Sequence, residues 1–257
     1  MRQIEPLRAV GALVLRDLGC ALRTPTILLM AVVGIALCWV ITPWIGGLAS
    51  PDEEVRRFLL ALDATVPALM GGSSVALFLL AEEREHGACA ALARAGISLK
   101  ALVAAKVLAA LAFTAPIALV CLVVTEAPAS CWVPGALAVT ATSLPLLVIS
   151  AGFGVIVRTY GQTSGPALIL VCLALPTQVA TLDAALAPLA ALTPLEAGTA
   201  ILSWLATSTA PAEGWAVVAG VFAAWLMASA AIMATCLRRR ARQDDEDGPE
   251  APGRALP

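Results

Sequence analysis

Long apolar runs separated by short charged stretches organise this chain. Six of them stand out: 27–48, between Arg23 and Asp52; 58–81, ended by Glu82; 101–125, with Lys106 inside its first turns; 136–157, closed by Arg158; 165–181; and 215–237, followed at once by Arg238, Arg239, Arg240 and Arg242. About 20 mostly apolar residues in a helix cross roughly 30 Å of hydrocarbon. The pattern therefore predicts an all-α integral membrane fold with six transmembrane helices, within a transmembrane domain over 27–237. Proline sits inside or at the head of most of these runs, at Pro43, Pro67, Pro116, Pro145, Pro166 and Pro176. Neighbouring helices and hydroxyl side chains can satisfy the carbonyls such prolines free, so each predicts a kink, with a hinge as the functional alternative.

The flanks read differently. Over 1–26, Arg8, Ala12, Arg16, Gly19 and Arg23 fall on one side at helical spacing, with Leu7, Val10, Val14, Leu18 and Leu22 elsewhere. This predicts an amphipathic helix lying along the membrane surface with its arginines near anionic head groups. Asp17 lies off the arginine face and reads as a solvated carboxylate, with contact to a partner as the alternative. The spread of arginines and the lack of a small-residue cleavage site argue against a cleavable signal. At the other end, 244–257 is acidic, contains Pro and Gly and has no apolar periodicity, which predicts a disordered tail over 238–257.

Basic residues fix an expected orientation. With six spans, Arg2, Arg8, Arg16, Arg23, Arg84, Arg94, Lys100, Lys106, Arg158, Arg238, Arg239, Arg240, Arg242 and Arg254 share one side, and only Arg56 and Arg57 lie on the other. Lys/Arg bias places the rich side in the cytoplasm, with both termini there. Within the third run, Lys106 is expected to snorkel to the interface.

Composition agrees with this picture. Of 257 residues, 60% are hydrophobic and 13% charged, with a mean hydropathy of +0.90, against about 25% charged in soluble domains. The 12 aromatics (one Tyr, five Phe, six Trp) offer no stacking platform for nucleic acid. The seven cysteines form no C-x-x-C pair, and there is one histidine, His86, so zinc, haem-attachment and iron–sulfur patterns are absent. No ionisable residue falls near a predicted span centre, and no H-E-x-x-H, G-x-S-x-G or P-loop is present. Catalytic, cofactor-binding and metal residues are therefore none. If the chain does energised work, another polypeptide supplies the energy.

Two segments outside the spans remain. Residues 82–98 open with Glu82, Glu83, Arg84 and Glu85, pass His86 and Gly87, and continue as a short alanine-rich helix carrying Leu92 and Arg94 and ending near Gly96. Such a helix can transmit force from a soluble partner; an ordinary charged loop is the alternative. Residues 183–214 form an outer segment in which Thr193 is expected to cap a helix with Pro194 at its first position.

The run Glu82-Glu-Arg-Glu-His-Gly87, followed by Leu92, Gly96-Ile-Ser98 and Lys106, resembles the permease subunits of the type-2 ABC transporter family. These carry a charged E-x-E-x-G-T-L-E-x-L stretch, a Pro-Ile/Val-Ser turn and a lysine opening the third span. Here Glu83, Glu85, Gly87, Leu92, Ile97, Ser98 and Lys106 match, while Ala88-Cys89-Ala90 and Gly96 depart from the pattern. The resemblance implies that 1–26 is an elbow helix carrying Arg16, Asp17 and Arg23. It implies that 82–98 is a coupling helix contacting the ATPase subunit through Glu82, Glu83, Glu85, Gly87, Leu92 and Arg94. It further implies a homo- or heterodimer of permeases in a bacterial inner or plasma membrane. A partner P-loop ATPase would bind ATP and Mg, and a hydrophobic or amphipathic cargo (lipid, drug or peptide) would move outward. Ala112-Phe-Thr-Ala-Pro-Ile117, Leu144-Pro-Leu146 and Gly152-Phe-Gly154 are also similar to the haem-exporter B subunit of cytochrome c maturation. A non-transporting membrane scaffold or assembly factor is the alternative from another class.

Overall fold

A computed structural model describes residues 6–46, 53–181, 184–211 and 213–246. Among these the regular structure is helical, with no strand. Helix α1 (Pro6–Ala21) turns through Thr24 into α2 (Pro25–Gly46). Helix α3 (Glu53–Val66), a seven-residue π-helical stretch (Pro67–Ser73) and α4 (Ser74–Glu85) form one continuous rod. After the short α5 (Ala88–Arg94), α6 (Leu99–Val124) returns the length of the bundle. Then come α7 (Trp132–Thr142), α8 (Leu144–Ile156), α9 (Ser164–Val179), α10 (Ala187–Ala190), α11 (Glu196–Thr207) and α12 (Trp215–Glu246).

Four of these rods are long and apolar enough to cross a membrane: Pro25–Trp44, Val55–Glu85, Leu99–Val124 and Trp215–Gln243. The pair α7–α8 makes a fifth if its 43° bend is taken as one broken span. The break follows from Pro145, whose missing N–H and bulky ring interrupt the ladder within the first turn of α8. Ser143 at the break donates its hydroxyl to the Thr140 carbonyl. The remaining predicted span, 165–181, corresponds to α9, whose 16 residues make it shorter than any of the four long rods.

The rod Val55–Glu85 is the spine of the bundle. Every residue from Ser74 to Ala81 is buried, packed by α6 on one side and α8 on the other. Close approach depends on glycine. A Cβ at Gly72 would meet Thr114 and Leu147, and one at Gly154 would meet the Leu77 carbonyl oxygen at 3.1 Å. The π-helical stretch leaves the Ser73 carbonyl free to accept the Ser150 hydroxyl of α8 at 2.7 Å. By contrast α2 and α12 lie at the periphery. Leu29, Val32, Val33, Leu37, Trp39 and Val40 of α2 and Met227 of α12 are exposed, an apolar surface that hydrocarbon satisfies and water does not. The apolar helices mark a membrane-embedded protein.

Two local expectations need correction. Helix α12 continues through the arginines to Glu246, so 238–246 is helical; Ala, Arg, Gln and Glu are all good helix formers. Thr193 does not cap a helix beginning at Pro194. Its hydroxyl is engaged by the Ala190 carbonyl and Thr177, and α11 starts at Glu196. Parts of other predicted segments lie outside the described residues: 1–5 of the N-terminal helix, Gly47 and Leu48 of the first span, Asp183 and Ala212 of the outer segment, and 247–257 of the tail.

Candidate functional site

The charged residues at one end of the bundle converge on a single ionic cluster. Helix α1 packs on α6 through Leu13, Asp17 and Ala21, all buried. Val10, Leu13, Val14, Asp17, Leu18 and Ala21 repeat at three- and four-residue spacing, which puts Asp17 in the middle of the apolar stripe. The carboxylate is fully buried, not solvated as the arginine face suggested. Its Oδ1 is 2.8 Å from the Nζ of Lys106 and 2.8 Å from Nη2 of Arg16.

Lys106 likewise does not snorkel. It is 1% exposed, because α1 covers the face of α6 from which it projects. Its Nζ also lies 2.9 Å from Oε1 of Glu83 on α4, and that oxygen accepts from Arg16 as well. Two cations and two carboxylates thus join three helices, the arrangement that makes a buried charge tolerable. Partial burial works against the Arg16 charge. The hydrogen bond to Asp17 and the nearby Glu83 and Asp17 charges outweigh it and raise the guanidinium's pKa. One oxygen of each carboxylate, Asp17 Oδ2 and Glu83 Oε2, is buried without a protein partner among the described residues.

The same end of α4 is tied to α8 and α12. Arg84 donates to the carbonyls of Val155 and Val157 at 2.8 and 3.0 Å, and to Gln243 of α12 at 2.9 Å. Glu85 accepts the Tyr160 N–H at 2.6 Å, and the Tyr160 ring lies on Phe78. Glu83 and Glu85 of the predicted contact segment therefore carry internal bonds. Glu82 forms no side-chain bond among the described residues.

Segment 82–98 is two pieces. Glu82, Glu83, Arg84 and Glu85 close α4. Gly87, with φ +69°, turns the chain, a conformation glycine adopts without strain. The seven-residue α5 follows and presents Ala91, Ala93 and Arg94 outward, while Leu92 packs against the core. Gly96, φ +85°, ends it, and Ser98 caps α6 by accepting the Ala101 N–H at 3.2 Å. The predicted elbow residue Arg23 stands at the α1–α2 corner, exposed, outside the ionic cluster.

At the opposite end Asp63, inside the second predicted span, lies in the continuous rod and is fully buried. Thr125 donates to its Oδ2 at 2.8 Å, and Oδ1 has no partner among the described residues. At this end a water-sized cavity of about 30 Å³ is lined by Arg57, Glu196, Glu213, Thr177 and Thr199. Burial pushes the Glu196 carboxyl up to about 7; Arg57 opposes this and Glu213 adds to it. Among the described residues no group of three His, Cys, Asp or Glu could hold a metal ion.

Lys106 and Asp17 are the residues whose surroundings the sequence pattern places least well. A signal was available: a lone lysine in an apolar run needs a counter-charge, and a lone aspartate on an apolar helix stripe is the natural candidate. No family model matches this chain, and neither a curated protein nor a solved structure matches it.

Proposed function

We propose that the chain is the membrane-spanning permease subunit of an ATP-driven exporter, with both termini cytoplasmic and a separate P-loop ATPase docking on α5. The observation that carries this reading is the short exposed α5. It is hung from the spine helix by Gly87, at the point where α1, α4 and α6 are clamped by the Arg16–Asp17–Glu83–Lys106 cluster. A push on α5 would reach three helices at once through buried charges rather than through a loose loop.

Six spans are supported by the course of α9. It starts near Tyr160, which is held by Glu85, and ends where Gln178 donates to Thr65 and Thr177 meets Thr193. Its 16 residues, extended by the 3₁₀ turn Tyr160–Thr163, reach roughly 24 Å or more at 1.5 Å per residue. The proposed docking surface is Ala91, Ala93 and Arg94, with Glu83 and Glu85 acting internally and Glu82 turned toward the α1–α2 corner. A second permease, identical or not, would complete the pathway, and the bacterial inner membrane is the proposed location.

The test is purification of the tagged full-length chain from its native membrane. A P-loop ATPase in stoichiometric amount, with export abolished by Leu92→Pro but membrane insertion intact, is the expected result. A chain that purifies without any ATPase, or a Leu92→Pro protein that exports normally, would contradict the reading.

A further inference from the structure

The α1–α2 corner, the end of α4 and the start of α5 enclose an open pocket of about 390 Å³ beside the ionic cluster. That volume lies in the range of small-ligand sites. Arg23 and Glu82 line it, yet neither forms an ion pair or side-chain hydrogen bond among the described residues. Opposite charges that share one pocket without meeting can be bridged by a ligand that carries both signs. Glu83 lines the same pocket, and its buried Oε2 has no partner among the described residues. The cation Lys106 forms part of the wall, already balanced by Asp17 and Glu83. The pocket therefore offers Arg23 to an anion and Glu82 to a hydrogen-bond-donating cation, with Glu83 spent on Lys106 and Arg16.

The surroundings say where such a ligand comes from. Leu22 and Leu29, both 60% exposed, flank the corner where the first long apolar rod begins. An acyl chain can run along the outer face of α2 while its headgroup enters beside Arg23. We propose that this pocket binds a zwitterionic aminophospholipid headgroup, its phosphate on Arg23 and its primary ammonium on Glu82. A primary ammonium donates three hydrogen bonds, whereas a quaternary one donates none. The site should therefore select phosphatidylethanolamine over phosphatidylcholine, and over the anionic phosphatidylglycerol.

The test is native mass spectrometry of the purified full-length chain with these three lipids at matched acyl chains. Phosphatidylethanolamine is expected to bind about tenfold more tightly than either competitor. Glu82→Gln should remove that preference while leaving the weak binding of the others unchanged, and Arg23→Gln, which loses the phosphate contact common to all three, should weaken each of them. Soluble glycerophosphoethanolamine should compete only at far higher concentration. Equal retention of the three lipids by the wild-type chain overturns the proposal whether or not the variants fold. So does a preference that survives Glu82→Gln, and so does a soluble headgroup that binds as tightly as the lipid, which would move the ligand from the membrane to a free metabolite. The site uses this chain alone, so lipid selectivity and ATPase co-purification can fail independently.

Discussion

Replacing Lys106 with methionine keeps most of the length and the apolar stem of the side chain and deletes the ammonium. At 2.8 Å and an effective dielectric near 20, its attraction to Asp17 is about 6 kcal/mol before desolvation. Desolvation offsets much of that in the wild type, but the variant keeps the penalty and loses the partner. Asp17 would be left buried with only Arg16, whose side chain is 38% exposed. Removing one member of a buried pair costs about 3 kcal/mol or more, equivalent to roughly 6–12 °C of melting temperature for a chain of this size. The assay is thermal unfolding of the purified protein in detergent for Lys106→Met, Asp17→Asn and the double variant. The double variant should be destabilised by clearly less than the two singles summed, because no orphan charge remains between them. A Lys106→Met protein melting within about 1 °C of wild type, or strictly additive costs, would refute the clamp.

Two further outcomes follow from the packing and from the outer cavity. Gly72→Ala should destabilise by about 1–3 kcal/mol, because its Cβ would press on Thr114 and lie 2.6 Å from Leu147 Cδ2; Gly11→Ala, with open space around it, serves as the control in the same thermal assay. Glu196 binds its proton more tightly folded than unfolded, with 4.5 as the unfolded reference and about 7 in the fold. Its protonation therefore adds stability fully below about pH 4.5, and that contribution declines as pH rises, until it is lost above about 7. The interval is worth on the order of 3 kcal/mol. Thermal unfolding between about pH 5 and 8 should show this decline in wild type and a flatter profile in Glu196→Gln; identical slopes would contradict it.

The apolar runs located the helices because hydrocarbon selects on mean hydropathy, and Ile27, Leu102 and Trp215 all lie in helices that begin within a few residues of the expected start. What the runs could not show was which helix is central. The rod through Ser74–Ala81 and the peripheral α2 are similarly apolar, and only packing against Gly154, Thr114 and Leu147 distinguishes them. The break at Ser143 was foreshadowed by Pro145, since a proline near a helix start is common but one in mid-span must interrupt the ladder. At the site, the residue types and their segment were legible, but their roles were not. Helical geometry turns Glu83 away from Glu82 and Glu85, which stand one turn apart, and their partners are Lys106 for Glu83 and Tyr160 for Glu85, with Glu82 in the pocket wall. Which turns inward depends on α1, whose docking rests on contacts as distant in sequence as Asp17 and Lys106.

The docking of a partner ATPase on α5 is tested most directly by a photo-crosslinking residue at Arg94 in the full-length chain, irradiated in native membranes. One dominant adduct is expected, with a P-loop ATPase, and none when the same residue replaces Trp44, exposed at the far end of α2. No adduct from position 94, or the same adduct from position 44, would contradict it.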